Sequence, residues 1–319
     1  MKLTKTQQKK LHRKLRVNAS AENVFVSQFI NAFKSAVGKQ IQDAKSIEEV
    51  DKIIEKIDLK RISRYIKQLS KNVLKKNNTG FSGVIDALLH GIDSMKKSRK
   101  YSKDFTASLG KLIKDKKIYN PLLEKFEANM NLIKNLPETI YKEIYNDLKK
   151  GYLKGEGFRG TEVEKLLYER LGNRARLITR TESSKVNTAL TEVRARSIGV
   201  NAYMWSSSDD ARVRSTHRLI NNVMFFWNDP PKFLYKAKSG KVSEMRGHAG
   251  ETPNCRCVVL PIFELEDIQF PVRVAEHISV MEKYVGVNRY ETYISSGNIV
   301  RLTKQQFLQR YGSKFILEG

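Results

Sequence analysis

The spacing of apolar residues changes once along this chain, close to Gly199. Before that glycine, apolar residues recur at three- and four-residue intervals, as in SIEEVDKIIEKI at 46–57, which is typical of amphipathic helices. After it, NAYMW, NVMFFWND and RCVVLPIF have the composition of short strands. The pattern predicts an α+β protein: a mainly helical N-terminal half, then a small module of two helices on a short sheet, then a mixed C-terminal tail.

Turn-forming residues predict where the helices begin and end. NNTG at 77–80 is expected to end a helix of the N-terminal half. Asn120 and Pro121 are expected to begin a later helix, because proline is favoured at the first helical position. Gly172 and Gly199 are expected to end the two helices of the α+β module.

The glycine-rich segment GYLKGEGFRG predicts a linker at 151–160. The predicted organisation is a basic helical region at 1–150, the linker, the α+β module at 161–264 and a C-terminal extension at 265–319. Inside the module, the segment LYKAKSGKVSEMRGHAG is predicted to be an inserted loop. In the extension, SGNIVRLTKQQFLQRYG predicts a strand that leads into a helix.

The chain carries a formal net charge of +25 in 319 residues. Residues 1–150 hold 33 Lys and Arg against 16 Asp and Glu, whereas the remainder holds 26 against 18. Such a charge indicates a polyanionic partner, with duplex DNA the first choice and an anionic membrane surface the alternative. A basic bias that only keeps the protein soluble would give the same count. The candidate contacts to the DNA backbone are Lys9, Lys10, Arg13, Lys14 and Arg16.

The sequence predicts neither a membrane-spanning segment nor secretion. No run approaches the roughly 18 apolar residues of a membrane span, and the basic N-terminal segment lacks the apolar stretch of a signal peptide. The two cysteines, Cys255 and Cys257, are too few for a disulfide framework and too close for an unstrained disulfide. A reducing compartment, the cytosol, is therefore expected for folding and assembly.

The two cysteines raise the question of metal binding. Their thiolates, with the imidazoles of His217 and His248, would supply four ligands for a tetrahedral zinc ion. The alternative is that Cys255 and Cys257 pack as small apolar side chains beside a turn into a buried strand. The sequence leaves both interpretations open, and it suggests no cofactor other than zinc.

The polar segment at 206–222 allows a catalytic and a structural interpretation. Asp209, Asp210 and His217 could bind a divalent metal and activate water, as in a nuclease. In the structural interpretation, Asp209 or Asp210 caps a short helix and the nearby arginines pair with the two acids. The structural interpretation is preferred, because no second carboxylate pair and no complete nuclease signature accompany the cluster.

Arg180 and Glu182 lie two residues apart in ITRTESSKVN at 178–187, so on a helix they point in different directions. We expect a structural role for them, with a buried Arg–Glu bond to the neighbouring sheet. The glycine-rich loops that bind nucleotide phosphates do not occur in the sequence.

Three stretches in order resemble the phage Mu F-like minor head proteins, also called phage head morphogenesis proteins. They are RTESSKVNTA on a helix, a W-x-x-S-x-D-x-R-x-R-x-x-H string, and PNCRC before an apolar strand. The resemblance covers residues 165–262. The residues that carry it are Arg180, Thr181, Glu182, Asn187, Trp205, Ser208, Asp210, Arg212, Arg214, His217, Pro253, Asn254, Cys255, Arg256 and Cys257.

The resemblance implies a minor capsid protein of a tailed phage, assembled in the host cytoplasm and carried in the interior of the virion. Proteins of this kind are present in few copies, associate with the portal protein during head assembly, and in some cases are ejected with the DNA. Scaffolding or capsid proteins are further expected partners. The family is regarded as structural, so we expect no enzyme activity, with a metal-dependent nuclease as the alternative. The resemblance also places Cys255 and Cys257 in a fold-defining corner beside the DDARVRSTH loop.

Overall fold

The structure is a computed structural model that describes residues 12–16, 19–57, 62–90, 116–153, 159–263, 265–287 and 289–315. The helices are α1 (Ala19–Asp43), α2 (Ile47–Glu55), α3 (Ile62–His90), α4 (Lys116–Asn131), α5 (Leu136–Leu153), α6 (Gly160–Ser197), α7 (Ser215–Leu219) and α8 (Lys304–Phe315). The strands are β1 (Ala202–Ser206), β2 (Met224–Phe226), β3 (Lys232–Lys236), β4 (Val242–Arg246), β5 (Val258–Pro261), β6 (Val272–Gly286) and β7 (Arg289–Leu302). The predicted α+β class, with helices first and strands after, is confirmed.

The chain forms two compact units that alternate along the sequence. The helical unit contains the described residues of 18–74 and 123–183, and the sheet unit contains those of 1–17, 75–122 and 184–319. The sequence predicts consecutive domains instead, joined by a linker at 151–160. In the structure α5 continues to Leu153 and α6 begins at Gly160, and residues 154–158 lie outside the described part. Whether the predicted domains fold independently of one another stays a prediction.

Aromatic residues at four-residue spacing build the core of the helical unit. Phe25, Phe29 and Phe33 lie on one face of α1, and all three are buried. Burying a side chain of this size stabilises the folded state by about 1.5–3 kcal/mol. Helix α2 begins at Ile47, and its N-cap is Ser46, whose hydroxyl accepts a hydrogen bond from the backbone amide of Glu49 at 3.3 Å. This cap satisfies one of the free amides at the start of the helix.

The prediction that Gly172 ends a helix is wrong, because α6 continues through it for a further 25 residues to Ser197. A glycine stops a helix only where the backbone turns into the left-handed region; inside a helix it merely costs about 1 kcal/mol relative to alanine. Leu171 and Ala175 are buried on either side of Gly172, so packing holds the helix through it. The two predicted helices of the module are therefore one.

Replacing Gly172 by alanine is expected to raise the free energy of unfolding by about 0.5–1 kcal/mol, since alanine loses less backbone entropy in a helix. A Cβ atom there would meet only Ile30 Cδ1 at 4.0 Å. Urea unfolding of the full chain measures the change. The matched control is Gly250, where φ is +96° and a Cβ atom would lie 2.7 Å from Thr188 Oγ1. Alanine at Gly250 should destabilise the protein, and equal effects at the two glycines would contradict this account.

Two further helix boundaries differ from their predictions. Helix α3 runs through the NNTG segment at 77–80, where the side chain of Asn77 is buried and bonded to other side chains instead of ending the helix. Helix α4 begins at Lys116, so Pro121 lies inside it and Asn120 is not its cap. At Asn77 the tertiary contacts outweigh a local turn signal, which is a weak determinant by itself.

The sheet has seven strands, and β6 is its longest. Along one edge β6 pairs with β7 in an antiparallel hairpin, and along the other it pairs in parallel first with β2 and then with β3. Strand β1 pairs antiparallel with both β2 and β5, and β4 pairs antiparallel with β3. The predicted C-terminal extension at 265–319 thus supplies a central strand of the sheet and not a separate tail.

Two segments of the sheet unit test the remaining predictions. The stretch expected to be a loop insertion forms most of the β3–β4 hairpin, which turns at Gly240 with a φ of +81°. The predicted strand and helix near the C-terminus are confirmed as β7 and α8. Thr303 and Gln306 cap α8 reciprocally: each backbone amide donates to the other side chain, at 2.9 and 3.4 Å. In the described part of the chain, no helix combines the length and the apolar character needed to cross a bilayer.

Candidate functional site

The motif residues of the sheet unit meet at one end of the β1–β5 pair. These strands are antiparallel, with Trp205 opposite Val259, so the loop that leaves β1 lies beside the loop that enters β5. The first loop carries the DDARVRSTH residues and leads into α7, and the second carries PNCRC. The predicted corner formed by these two segments is therefore present.

Asp210 and Arg256 join the two loops by a bidentate ion pair. Both guanidinium nitrogens of Arg256 donate to the carboxylate of Asp210 at 2.7 Å. Asp210 also accepts from the backbone amide of Arg212 at 2.9 Å. Burial opposes ionisation, but the hydrogen bonds from Arg256 and Arg212 outweigh it and lower the pKa of Asp210. The predicted pairing of an arginine with this acid is correct, whereas the predicted helix cap is not, since Arg214 stands at the cap of α7.

Arg214 and Asn254 fix the turn that precedes the cysteines. The guanidinium of Arg214 donates to the hydroxyl of Thr252 at 3.2 Å and to the carbonyl of Pro253 at 2.7 Å. Asn254 has a φ of +57°, in the left-handed region that asparagine tolerates better than most residues. Arg214 and Asn254 therefore hold the backbone of this turn in its conformation.

His217, Cys255 and Cys257 form a buried cluster, as the metal hypothesis requires. Nδ1 of His217 lies 3.4 Å from the sulfur of Cys255 and 3.5 Å from the sulfur of Cys257. All three ligand atoms lie within 4.8 Å of one another, and all three residues are buried. Among the described residues, this cluster is the one group of at least three His, Cys, Asp or Glu side chains whose ligand atoms are close enough to hold a metal ion.

The pKa values of the two free thiols are shifted in opposite directions. Hydrogen bonding from Cys257 holds the pKa of Cys255 well below its usual value, against the effect of burial and with further help from His217. The pKa of Cys257 is raised well above its usual value by the hydrogen bond to Cys255 and by burial. The backbone amide of Cys257 also donates to the sulfur of Cys255 at 3.4 Å. Deprotonation of Cys255 is thus favoured over deprotonation of Cys257.

His248 does not join this cluster, so its predicted role as the fourth zinc ligand is wrong. Its Nδ1 atom is hydrogen-bonded to the hydroxyl of Tyr203 at 2.9 Å, and its Nε2 atom lies 3.9 Å from the carboxylate of Glu192. The ring also packs edge-on against Trp227. The turn at Gly250 separates His248 from the cysteines and directs it to these partners.

Burial, together with the charges of Arg196 and Arg246, lowers the pKa of His248 from 6.5 to about 4. Between these pH values the unfolded chain binds a proton that the folded chain does not bind. Stability therefore falls as the pH drops from 6.5 to 4, by at most about 3 kcal/mol from this residue. The carboxyls of Glu192 and Glu251 act in the opposite sense, because burial raises their pKa values.

This pH dependence is checked by urea unfolding of the wild type and of His248→Asn at several pH values between 4 and 7. Asparagine keeps a polar atom near the Tyr203 hydroxyl but cannot titrate. We expect the variant to lose less stability than the wild type as the pH falls. Parallel curves for the two proteins would show that His248 titrates normally in the folded state.

The structure does not bring the predicted nuclease residues together as a metal cluster. Asp210 is occupied by Arg256, and Asp209 is exposed with a φ of +53°. His217 faces the two cysteines instead of these carboxylates. Thiolate and imidazole ligands favour zinc, whereas the Mg²⁺ or Mn²⁺ of a carboxylate-based nuclease site prefers oxygen.

Arg180 and Glu182 lie in the helical unit, where each bonds to a neighbouring helix, and the predicted bond to the sheet stays a prediction. Nε of Arg180 lies 3.4 Å from the carboxylate of Glu22 in α1. Glu182 accepts a hydrogen bond from the side chain of Asn129 in α4 at 2.8 Å. Their side chains point to different neighbours, as expected for residues two apart on a helix.

Asn187, by contrast, belongs to a buried polar network in the sheet unit. Its side chain donates to the carbonyl of Leu15 at 2.8 Å and accepts from Asn77 at 2.8 Å. Arg194 is 2% exposed and donates to the side chains of Asn77 and Asn78. Sequence reasoning missed Arg194, although its position four residues after Leu190 on the apolar stripe was a usable signal.

Two hydroxyls of α6 hold the loop that leads to the cysteines. Thr188 donates to the carbonyl of Ala249 at 2.7 Å, and Ser184 donates to the carbonyl of Cys255 at 3.4 Å. Ser184 and Thr188 were not singled out as site residues from the sequence. Small hydroxyl residues four apart on one helix face are a weak signal without the partner loop.

Of the predicted DNA contacts, Arg13, Lys14 and Arg16 lie in the described helical turn at 12–16, and Lys9 and Lys10 lie outside the described residues. Arg13 and Lys14 are exposed and Arg16 is half-buried. The same turn is anchored by Leu15, which is buried, and by His12, whose Nδ1 atom is hydrogen-bonded to Ser206 Oγ at 3.0 Å.

Comparison with known proteins identifies the segment that carries this corner. Residues 142–260 match the family model of the Phage Mu protein F like proteins. The resemblance predicted from the motifs is confirmed for this segment, which we call the Mu F-like segment. It begins in α5 and ends in β5, so it includes the whole of α6 and the cysteine corner.

An uncharacterized protein of Haemophilus influenzae is 30% identical to the chain over 138 residues. The matched region covers 43% of this chain and 28% of that relative, so the chain spans little more than a quarter of the relative's length. No solved structure matches the chain.

Proposed function

We propose that the chain is a minor capsid protein of a tailed phage that associates with the portal during head assembly and binds the packaged DNA without sequence preference. The observation that carries the proposal is the family match of the Mu F-like segment, which includes the corner described above. Portal protein is the proposed partner, with scaffolding or capsid protein as further contacts in the assembling head. A protein bound to packaged DNA is also placed to be ejected with it.

An exposed basic face on α3 supports the DNA part of the proposal. Arg64, Lys67 and Lys71 follow one another at helical spacing, and all three are exposed. The opposite face of the helix is buried through Ile66 and Val73. A row of cations on a rigid helix can neutralise successive phosphates without reading bases, which is the contact that non-specific binding requires.

Binding of linear duplex DNA to the full chain, measured by fluorescence anisotropy across a salt series, tests this part. We expect log affinity to fall linearly with log salt. Replacing Arg64, Lys67 and Lys71 together by glutamine should reduce the magnitude of that slope by about 3, because each lost phosphate contact contributes about 0.9.

The matched control replaces three exposed lysines elsewhere, Lys238, Lys241 and Lys304, by glutamine. This control has the same change in net charge, so it separates a defined contact from a general loss of charge. Equal slopes in the two triple variants would contradict the α3 contact, and a wild-type chain that ignores duplex DNA at low salt would contradict DNA binding altogether. Cleavage of the DNA with added divalent metal would favour the nuclease alternative.

Portal association is tested by co-expression with the portal protein encoded by the same phage. The proposal expects a stable complex on size-exclusion chromatography. A chain that elutes separately from an assembled portal under all salt conditions would contradict this part and leave DNA binding to its own test.

A further inference from the structure

We propose that the corner of the Mu F-like segment is a zinc site in which Nδ1 of His217 and the thiolates of Cys255 and Cys257 bind one Zn²⁺, with the fourth position open to the adjacent cavity. This inference concerns the corner itself and does not rest on portal or DNA binding.

The distances in the cluster fit the ion. A tetrahedral zinc with Zn–S of about 2.3 Å and Zn–N of about 2.0–2.1 Å places the nitrogen and each sulfur about 3.6 Å apart. The observed separations from His217 Nδ1 are 3.4 Å to Cys255 and 3.5 Å to Cys257. The nitrogen therefore lies from each sulfur at about the distance that a shared tetrahedral ion requires.

The ligands come from two segments of the chain, the helix α7 and the turn before β5. Cys255 and Cys257 are two residues apart on the approach to β5, a spacing that turns both side chains to one side when the backbone is extended. Arg256, between them, is held by Asp210. His217 comes from α7, where its ring packs against Trp205 and Phe233 with centroids 5.2 and 5.0 Å away.

The surroundings match those of a metal ligand. Metal-bound histidines usually bond their second ring nitrogen to a protein acceptor, which fixes the orientation of the ring. Nε2 of His217 lies 3.4 Å from the hydroxyl oxygen of Thr252, and Thr252 is itself held by Arg214 at 3.2 Å. The backbone amide that donates to the sulfur of Cys255 further stabilises thiolate charge at the site.

The fourth ligand would come from outside the three residues. A cavity of about 70 Å³ lies beside the cluster and is lined in part by Ser208 and by Arg212, Arg214 and Arg256. This volume exceeds the roughly 10–15 Å³ that one water needs. The oxygen of Ser208 is buried there, without a hydrogen-bond partner among the described residues. A zinc-bound water or a small anion would occupy this space and could use that hydroxyl.

The choice of metal follows from the ligand set. Thiolate and imidazole ligands favour zinc over Mg²⁺, Ca²⁺ and Mn²⁺, which prefer oxygen. Three protein ligands and an open position are the arrangement of zinc sites that keep an exchangeable ligand. The ion would pin α7 to the turn before β5 and hold the two motif loops together.

The experiment uses the full untagged chain, purified under reducing conditions without added metal, and measures bound metals by mass spectrometry. We expect one zinc per chain. After removal of the ion by chelation, competition with a chromogenic chelator should show that Cys255→Ser weakens zinc affinity on the order of 100-fold or more, and Thr252→Val by about 10-fold. The matched control is the exposed His277, where asparagine tolerates the φ of +50° and should leave affinity unchanged.

Cobalt substitution of the wild type gives an answer that does not depend on whether the variants fold. We expect the intense visible bands of tetrahedral Co²⁺ with a thiolate charge-transfer band in the near ultraviolet. A reduced wild-type chain that lacks zinc, and whose apo form binds it no more tightly than Cys255→Ser does, would overturn the proposal. So would a weak octahedral cobalt spectrum without the thiolate band.

Discussion

Replacing Trp205 by alanine is expected to lower the free energy of unfolding by about 3–5 kcal/mol. The indole is fully buried, and its ring contacts His217, Phe225 and Phe233 at centroid distances of 5.2, 5.8 and 5.9 Å. Deleting it removes the transfer free energy of the side chain and leaves a cavity that a sheet cannot fully close. Because the ring backs the imidazole of His217, the same change should loosen the corner.

Urea unfolding followed by circular dichroism measures this loss without relying on tryptophan fluorescence. Trp205→Phe is the control, and it should cost less than half as much. Phenylalanine keeps most of the apolar volume of the side chain. A loss below about 1 kcal/mol for the alanine variant would mean that Trp205 is not a core residue of the folded protein.

Replacing Arg194 by alanine should also lower the free energy of unfolding, by about 1–3 kcal/mol for the buried acceptor left without a donor and by a further amount for lost packing. Its guanidinium is buried and donates to the side-chain oxygens of Asn77 and Asn78. The alanine variant loses the packing of a long side chain and leaves the oxygen of Asn77 without that donor in a buried site. The network also includes Asn187, so the loss should spread to a motif residue.

A double-mutant cycle with Asn77→Ala separates the network from simple packing. We expect the double variant to be destabilised by clearly less than the sum of the two single variants, since each single change already breaks the same hydrogen bonds. Strict additivity within about 0.5 kcal/mol would show that Arg194 and Asn77 act independently and would contradict the network.

The parts of the fold that sequence predicted are those that periodicity decides. The stripe of Val186 and Leu190 in α6, the strand composition around Trp205 and the passage from β7 to α8 were readable, because buried positions repeat at 3.6 or 2 residues. The helix boundaries at Asn77 and Gly172 were not readable. Local turn preferences favour a break there by about 1 kcal/mol, and packing partners far along the chain outweigh it.

The topology of the sheet could not be predicted from the sequence, because it also depends on contacts between distant segments. Strand β6 joins β2, β3 and β7, and these pairings depend on register between distant segments. Half of β6 is exposed or half-buried in an irregular order, so no strict alternation marked it as central. The β3–β4 hairpin was hidden similarly, since β4 is almost wholly exposed and reads as a polar loop.

At the candidate site, residue types were more informative than their geometry. His217, Cys255 and Cys257 were identified because few residue types supply soft ligands. The choice of His248 as a fourth ligand failed, because spacing along the chain does not show on which side of the Gly250 turn a ring will lie. Arg256 was named as a motif residue, but its position between the two cysteines did not show that it forms the ion pair with Asp210.

The most direct test of the proposed function is the protein composition of purified phage heads. DNA-filled heads from the phage that encodes the chain would be compared by quantitative mass spectrometry with heads from a mutant that lacks the portal protein. The account predicts that the chain is present in few copies in the filled heads and is lost from the heads without portal. A chain that is abundant in the infected cell but missing from filled heads, or equally present in both preparations, would contradict it.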